Sequence, residues 1–473
     1  MARGRALWQS AAMRLAVLAV GFTFLACGRG AGAPEAADAG LDAGATDGGS
    51  DGGGGSDGGG SDAGASDAGV PDAGPALHAG RLAGGPGPAP GPIAGLRYLS
   101  GSTGGTTDAQ GAFQWEEGAP VSFYAGGLEL GAAAGAALLT PFALSGDCTA
   151  SPALRKLLVA LETLDADRDP EDGLALGPLD PALLAGQRLS ALDSAQLAAA
   201  LAQLAPGAPL ADETAALDRF IRQIDGEDWQ ETGLDRFVIA SAATRSQGVA
   251  TDGAGWLFSF RLGLSRTGLD YAAQKTNDLA IPAALALQGL NHIGDIDTLG
   301  GTLYAGLEDG TKYQHPTIAL YDARTLQFRS AVALPLALMP GGVPWVAVDA
   351  ALGAALTATW SPGDQLLLWD LASGLSYRRA IPLRPAQPRV QGGKVRSGMI
   401  YLSRDSEAKT VVKANLETGT AFDLFALPGA GEIEGLALLS GGLYTLNVTT
   451  DRTAVEFRSH RRTRISLREQ ACP

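Results

Sequence analysis

The chain has 473 residues, a formal net charge of −15 and 46% hydrophobic residues. A chain of this length can bury a large core and is expected to form two or three domains. Its acidic balance argues against nucleic acid or an anionic membrane surface as a partner. Three regions differ in composition: an apolar start, a tract rich in Gly, Ala, Asp and Ser that ends near Pro92, and a remainder of ordinary globular composition.

The first 27 residues have the features of an export signal. An uncharged run at residues 15–26 follows three arginines and is too short for a spanning helix. It ends in Phe-Leu-Ala-Cys-Gly at residues 24–28, which resembles the lipobox of bacterial lipoproteins. The resemblance implies cleavage before Cys27 and a lipid on Cys27. Because Gly28 rather than Asp follows, it also implies anchoring to the bacterial outer membrane. Plain secretion is the alternative, and Met13 is an alternative start.

Residues 28–92 repeat short Asp-Ala-Gly and Ser-Asp-Gly-Gly units with almost no large apolar side chains. Such a segment cannot bury enough surface to offset its chain entropy, which predicts a disordered tether. About 60 residues of Gly-rich coil have a root-mean-square reach of about 40 to 50 Å.

Residues 93–150 alternate apolar and polar side chains as strands do, with Gly and Thr turns between them. The segment Thr107–Phe113 resembles the Thr-Asp-x-x-Gly-x-Phe hairpin of carboxypeptidase-regulatory-like and transthyretin-like modules. The resemblance implies a small β-sandwich-like module that serves as a spacer.

Residues 151–230 change to helical spacing, with leucine stripes that begin at Leu154 and Leu197, which predicts a short helical connector. Its chemical feature is an acidic loop of alternating aspartates: Asp165, Asp167, Asp169 and Asp172. A solvated loop is favoured over a calcium site, because Pro170 stands where an EF-hand loop requires Gly and Leu176 where it requires Glu.

Residues 231–473 contain a phrase that occurs five times: a glycine, an arbitrary residue, an apolar residue and usually an aromatic. The glycines recur at roughly 43 to 52 residues, a period typical of propeller blades in an all-strand sequence; they are Gly255, Gly301, Gly353, Gly398 and Gly441. The predicted fold is therefore mainly β, with a C-terminal five-bladed β-propeller. Six blades are possible if residues 270–288 form a blade of their own. An early strand at residues 236–240 is expected to pair with the last blade and remove the exposed edges.

Polar side chains near the start of each innermost strand are predicted to surround a central channel. The set contains carboxylates, amides, a histidine and a tryptophan: Gln247, His292, Asp295, Asp297, Trp345, Gln391, Glu432 and Glu434. Oxygen ligands of this kind suit Ca²⁺, and a cation would relieve the repulsion between crowded carboxylates. The alternative is that these side chains cap strands and hydrate the channel.

Four segments together look like a set of exported bacterial propeller proteins of uncharacterised activity: residues 291–297, 345–349, 390–393 and 432–436. The Glu-Gly-Leu sequence at residues 434–436 is also similar to an element of gluconolactonase and regucalcin-like propellers, in which the glutamate ligates a central calcium. The resemblance makes Glu434 the best metal candidate, with Asp295 beside it. The family's other ligands have no clear match.

Two cysteines, Cys148 and Cys472, remain once Cys27 is lipidated, and in an oxidising compartment they can form a disulfide.

Two functions fit the features of the whole sequence. The first is a binding or scaffolding module that holds an unknown protein or small-molecule ligand at the cell envelope. The second is a calcium-dependent hydrolase of lactones or phosphoesters, with Asp295 or His292 as the base.

Overall fold

The computed structural model describes residues 75–85, 91–238, 240–310 and 312–472. The predicted signal, its Cys27 and most of the predicted tether lie outside the described residues. Residues 75–473 form one compact unit, and its fold is mainly β, as predicted. Among the described residues no helix is both long enough and apolar enough to span a bilayer.

The first part of this unit is built from short strands in two main sheets. Four strands form an antiparallel sheet in the order β4-β3-β6-β7, and β1 lies between β5 and β8, antiparallel to β5 and parallel to β8. A further pair joins β2 to β9. The strands are β1 (Leu77–Leu82), β2 (Ile93–Ala94), β3 (Arg97–Ser100), β4 (Thr103–Thr106), β5 (Ala112–Glu116), β6 (Pro120–Ala125), β7 (Leu128–Ala134), β8 (Leu138–Leu139) and β9 (Leu174–Ala175).

Strand β1 lies inside the segment predicted as a tether, so the folded chain begins earlier than expected. Leu82 and Ala83 at its end are completely buried. The average composition of residues 28–92 is that of a polar tract, so it did not indicate these few apolar side chains. Their burial and the pairing of β1 with two other strands are sufficient to order this end of the segment.

Helices follow the strands and share their core. The apolar face of α2, with Leu157 and Leu161, packs in one cluster with Phe123 and with Leu201 of α3. The predicted sandwich and the predicted helical connector are therefore one packed layer structure rather than two separate pieces. The helices are α1 (Pro141–Ser145), α2 (Pro152–Thr163), α3 (Ser194–Leu204), α4 (Glu213–Asp225), α5 (Ala240–Ala243), α6 (Ala283–Ala286) and α7 (Leu467–Ala471), with a 3₁₀ turn at Leu189–Ala191.

The remaining strands form five four-stranded antiparallel sheets, here called the repeat sheets. In the first four, consecutive strands are neighbours. Sheet 1 contains β11 (Gly248–Thr251), β12 (Trp256–Phe260), β13 (Gly263–Thr267) and β14 (Ala273–Asn277); sheet 2 contains β15 (His292–Leu299), β16 (Thr302–Glu308), β17 (Thr317–Asp322) and β18 (Phe328–Ala333); sheet 3 contains β19 (Ala347–Asp349), β20 (Ala354–Thr357), β21 (Gln365–Asp370) and β22 (Ser376–Pro382); sheet 4 contains β23 (Val390–Arg396), β24 (Met399–Arg404), β25 (Thr410–Asn415) and β26 (Ala421–Ala426).

Sheet 5 combines the end of the chain with an earlier strand. Its order is β10-β29-β28-β27, and the strands are β10 (Asp228–Val238), β27 (Glu432–Leu439), β28 (Gly442–Val448) and β29 (Ala454–Arg464). The early strand thus pairs with the last strand of the chain. Residues 270–288 supply β14 and α6 and do not form a sheet of their own.

The repeated glycines have a structural explanation. Gly301, Gly353, Gly398 and Gly441 have φ between 61 and 79° and lie where the first strand of a sheet turns into the second. Other residue types are disfavoured in this left-handed region, so the turn selects glycine in these four repeats. Gly255 of the first repeat is different: a Cβ there would lie 2.3 Å from the Thr267 carbonyl oxygen. The first strands of the sheets contact one another in the order β11, β15, β19, β23 and β27, and β27 also contacts β11.

Buried charges join α4 and the chain that follows it to the repeat sheets. The Glu227 carboxylate is buried and accepts hydrogen bonds from Lys413 at 2.5 Å and from the Trp229 indole at 2.9 Å.

Cys148 and Cys472, the pair named from the sequence, form a disulfide with an S–S distance of 2.07 Å and a Cα–Cα distance of 6.0 Å. This bond links residues separated by 324 positions and holds α7 against the first part of the unit.

We expect Gly248→Ala to lower the free energy of unfolding by about 1 to 3 kcal/mol, the usual cost of overpacking. A Cβ at Gly248 would lie 2.4 Å from the Cα of Asp295 in the adjacent sheet. Gly177→Ala is the matched control, because its Cβ would meet no heavy atom closer than 3.9 Å. Urea unfolding compares the two, and equal midpoints would contradict the close approach of β11 and β15.

Candidate functional site

The first strands of the repeat sheets all begin at the same end, here called the entry end. In each sheet the start of the first strand pairs with the end of the second, as His292 does with Glu308 and Glu432 with Val448. The loops between second and third strands therefore lie at the entry end too. This arrangement gathers most of the sequence-predicted residues into one region.

Asp295 is at the centre of this region and accepts hydrogen bonds from two other sheets. It lies in a bulge of β15 and is 1% exposed. One carboxylate oxygen accepts from the Val249 N–H at 2.8 Å, and the other accepts from the Lys394 ammonium at 2.9 Å and the Gly393 N–H at 3.3 Å. A buried ion pair thus connects sheets 1, 2 and 4.

Three glycines make room for the Asp295 side chain. A Cβ at Gly392 would lie 2.6 Å from one carboxylate oxygen, and a Cβ at Gly435 would lie 2.7 Å from the other. Gly248 approaches the same carboxylate from sheet 1, where a Cβ would lie 2.6 Å from it. Glycine is needed at these positions because the first strands of three sheets converge on one carboxylate.

The contacts of Asp295 do not fit a metal ligand. Burial raises the pKa of Asp295 to about 7, although the Lys394 ammonium and the Val249 N–H act in the opposite direction. Both carboxylate oxygens already accept hydrogen bonds, and a cation would have to displace Lys394. The ion pair therefore occupies the place that the sequence assigned to a metal.

Asp297 and Trp345 also hold neighbouring sheets together and do not line an open channel mouth. The Asp297 carboxylate accepts from the Thr298 and Val348 N–H groups, both at 2.9 Å, so it joins sheets 2 and 3. Trp345 was predicted at the channel mouth, but it is completely buried in an apolar cluster with Ile400 and Leu402. Its large indole fills the space between sheets 3 and 4.

His292 and Gln391 lie at the entry end in separate polar pairs. The His292 ring contacts Gln247 through Nε2, and its Nδ1 lies 3.3 Å from a carboxylate oxygen of Glu308. Gln391 donates to Glu432 at 3.4 Å, and Glu432 also pairs with Arg452 at 2.8 Å. These four sequence-predicted residues therefore form two separate pairs and are not joined in one ring of ligands.

Glu434 differs from the other acids because it has no hydrogen-bond partner among the described residues. It lies in a bulge of β27 and is 5% exposed. Burial raises its pKa well above the usual range, and Glu432 and Asp405 add to the rise. This carboxyl is thus held in a site that disfavours its charged form.

Two more polar side chains without partners lie between sheets 4 and 5. We call the contact region between these two sheets the seam. The seam is apolar where Tyr401 packs with Leu436 and Leu443. Because side chains alternate along a strand, Ser403 and Asn447 project into the same seam closer to the entry end. The Ser403 hydroxyl and both amide atoms of Asn447 are buried without a hydrogen-bond partner. We call Ser403, Glu434 and Asn447 the seam site.

Sequence reasoning missed Lys394, Ser403, Asn447 and Glu308. A lysine in an alternating strand is ordinarily read as solvent-exposed, and a serine or asparagine near a strand end as part of a turn. The available signal was the Gly-Gly-Lys sequence at residues 392–394, since two adjacent glycines in a strand indicate a close approach of other chain segments.

Metal binding was tested on the donor sets that are present. Within the described ranges, no three His, Cys, Asp or Glu side chains meet as a metal-binding group. In the acidic loop, burial raises the pKa of Asp165 to about 6, and its carboxylate accepts from the Ala175 N–H at 2.9 Å. Asp167 and Asp169 accept from N–H groups of the loop itself, as in a solvated turn.

No family model matches this chain, and no curated protein matches it significantly.

We expect Lys394→Met to lower the free energy of unfolding by about 3 to 5 kcal/mol, because it leaves the Asp295 carboxylate buried without its charged partner. The double variant Asp295→Asn/Lys394→Met removes both charges and should be more stable than the single variant. Thermal unfolding of the two proteins measures the difference. A double variant less stable than Lys394→Met would contradict a buried ion pair at this position.

Proposed function

We propose that the protein is an exported lipoprotein, anchored to the bacterial outer membrane through Cys27, whose repeat sheets form a five-bladed β-propeller that acts as a binding module. Three observations support the ring. The first strands contact one another in sequence, β27 contacts β11, and β10 pairs with β29. A propeller closed in this way has no long exposed sheet edge.

The seam site carries the binding proposal. The Ser403 hydroxyl and the Asn447 carboxamide are buried without partners in the seam. The buried Glu434 carboxyl lies on β27 of sheet 5, which forms one side of that seam. Buried polar atoms of folded proteins are nearly always hydrogen-bonded, and exceptions call for water, an ion or a ligand. A polar ligand bound there would satisfy these atoms.

Exposed leucines near the entry end add apolar contact surface. Leu262 lies between β12 and β13, and Leu279 and Leu287 lie in the connection that leads into β15. Their exposed fractions are 37, 76 and 89%. Exposed apolar side chains of this kind can contact a ligand or a partner protein.

Calcium is the candidate occupant of the seam site. The oxygens of Glu434, Asn447 and Ser403 are hard donors of the kind that Ca²⁺ prefers, and water would complete its shell of about six to eight ligands. A bound cation would also relieve the electrostatic penalty on the Glu434 carboxylate. Asp295, the second ligand expected from the sequence, is not part of this proposal because its oxygens are occupied.

The hydrolase alternative has one observation in its favour. His292 and Glu308 form a histidine–carboxylate pair, in which the carboxylate can orient the ring. The second nitrogen of the ring, however, contacts Gln247 rather than open space. With Asp295 bound to Lys394, no second catalytic group stands beside His292 among the described residues, and we therefore favour binding.

We expect Glu434→Gln to be more stable than the natural protein at high pH without added metal. The folded-state pKa of Glu434 lies above its ordinary value of 4.5. The neutral carboxyl therefore supports the fold below about pH 4.5, and that support is lost as pH rises towards the folded-state pKa, by up to about 1.4 kcal/mol per pH unit. Melting temperatures of both proteins between pH 4 and pH 9 measure this difference.

Calcium should reverse the order, raising the melting temperature of the natural protein at neutral pH but not that of Glu434→Gln. Glu407→Gln, which changes an exposed carboxylate in the loop after β24, is the control and should respond like the natural protein. A calcium response that Glu434→Gln keeps would contradict the seam site as the place of binding. The absence of any response would remove calcium from the proposal.

The anchor has its own test. Cys27→Ser should move the protein from the membrane fraction to the soluble fraction of the producing cell, because the lipid attachment point is lost. Cys148→Ser is the matched control and should remain with the membrane. A Cys27→Ser protein that still sediments with the membrane would contradict lipid anchoring through this residue.

A further inference from the structure

A second candidate site lies on the first part of the unit, away from the repeat sheets. Cross-strand pairing places Arg97 beside Tyr124 and Tyr124 beside Glu129, and an isolated bridge places Glu129 beside Arg188. These four side chains form a row across one face of the β4-β3-β6-β7 sheet. We call it the arginine row.

The row lines a cleft of about 290 Å³. The segment before Arg188 forms the other wall and is attached to the edge strand β7, where the Gly127 N–H donates to Leu183 at 2.8 Å and the Glu129 N–H to Gln187 at 3.0 Å. A second cavity of about 400 Å³ lies on the far side of Glu129 and Arg188. The cleft is thus held open by a fixed backbone connection.

Arg97 is the unusual member of the row. Its guanidinium stacks on the Tyr124 ring at 4.2 Å, and its Nε is buried without a hydrogen-bond partner. Glu129 is closer to Arg188, with 3.3 Å between its Oε2 and the Arg188 Nε. Arg97 lines the cleft, and because no carboxylate among the described residues pairs with its guanidinium, the fork of its two terminal nitrogens is left for a ligand. Such a fork matches the two oxygens of a carboxylate.

The rest of the cleft restricts the kind of ligand. Its volume corresponds to about ten water molecules at about 30 Å³ each, which suits a molecule of monosaccharide size. Leu99 and Pro181 offer apolar contact, whereas Gln187 and Glu129 offer oxygens to hydroxyl donors. A ligand carboxylate would be repelled by Glu129, so it would lie at the Arg97 end with hydroxyls at the other.

We propose that this cleft binds a hydroxylated carboxylate of monosaccharide size, the sugar-acid class, with Arg97 holding the carboxylate. The proposal is independent of the seam site. The ligand is either a free sugar acid or a uronic acid residue of a polysaccharide, and both present the same carboxylate and hydroxyls.

Isothermal titration of the full chain with D-glucuronate tests the proposal, with D-glucose and propionate as probes that lack the carboxylate or the hydroxyls. We expect glucuronate to bind and both controls to bind at least tenfold more weakly. Arg97→Gln should weaken glucuronate binding at least tenfold, whereas Arg324→Gln, which changes an exposed arginine in the turn between β17 and β18, should not change it. Circular dichroism of both variants shows that they are folded.

An oligogalacturonide titration distinguishes the two sources. Tighter binding of the oligomer than of glucuronate, lost in Arg97→Gln, assigns the site to polysaccharide, and equal or weaker binding assigns it to the free acid. The proposal is overturned if neither uronate binds, if glucose binds as well as glucuronate, or if a folded Arg97→Gln protein binds with unchanged affinity.

Discussion

The buried ion pair of Asp295 and Lys394 is the interaction on which the arrangement of the repeat sheets depends. A charge so far from water is tolerated only when its partner and its remaining hydrogen bonds are in place. Here the ammonium also donates to the Ile296 and Gly393 carbonyls at 2.9 and 3.0 Å. The pair therefore fixes the distances between the first strands of several sheets, and the glycines around it follow from that closeness.

This constraint separates packing from binding at the entry end. Asp295, a member of the ion pair, accepts a hydrogen bond from a backbone N–H group of sheet 1. Asp297, two residues later, accepts one from a backbone N–H group of sheet 3. The unpartnered side chains of Ser403 and Asn447 lie to one side, in the seam between sheets 4 and 5, whereas single buried atoms of Asn291 and Glu308 lack partners at sheet 2. A chain that needed only to hold its sheets together would fill that seam with apolar side chains, as it does around Leu436. The proposed binding function rests on these polar atoms of Ser403, Glu434 and Asn447.

The fold could be predicted from the sequence where a local rule selects the residue. Glycines such as Gly398 recur because a left-handed turn requires them, and their period indicated repeated sheets. Strand β1 was missed because a few buried side chains are lost in the average composition of a long polar tract. The common core of the sheets and helices in the first part was also missed, since periodicity shows which face of an element is apolar but not what covers it.

The positions of the site residues in their strands could be predicted from the sequence, but their hydrogen-bond and ion-pair partners could not. His292, Asp295 and Glu434 were placed near the starts of first strands from their spacing alone, and the structure has them there. Which of them is neutralised depends on Lys394, nearly a hundred residues after Asp295 in the chain, and no local pattern connects the two. Trp345 shows the same limit, because its burial depends on the packing of sheet 3 against sheet 4.

A crystal structure of the protein grown in calcium, with an anomalous difference map, would show directly whether an ion pair or a metal joins the first strands. We expect Lys394 on Asp295 with no ion between the first strands, and an ion bound by the oxygens of Glu434, Ser403 and Asn447. An ion on Asp295, with Lys394 displaced, would contradict the claim that an ion pair rather than a metal joins the sheets.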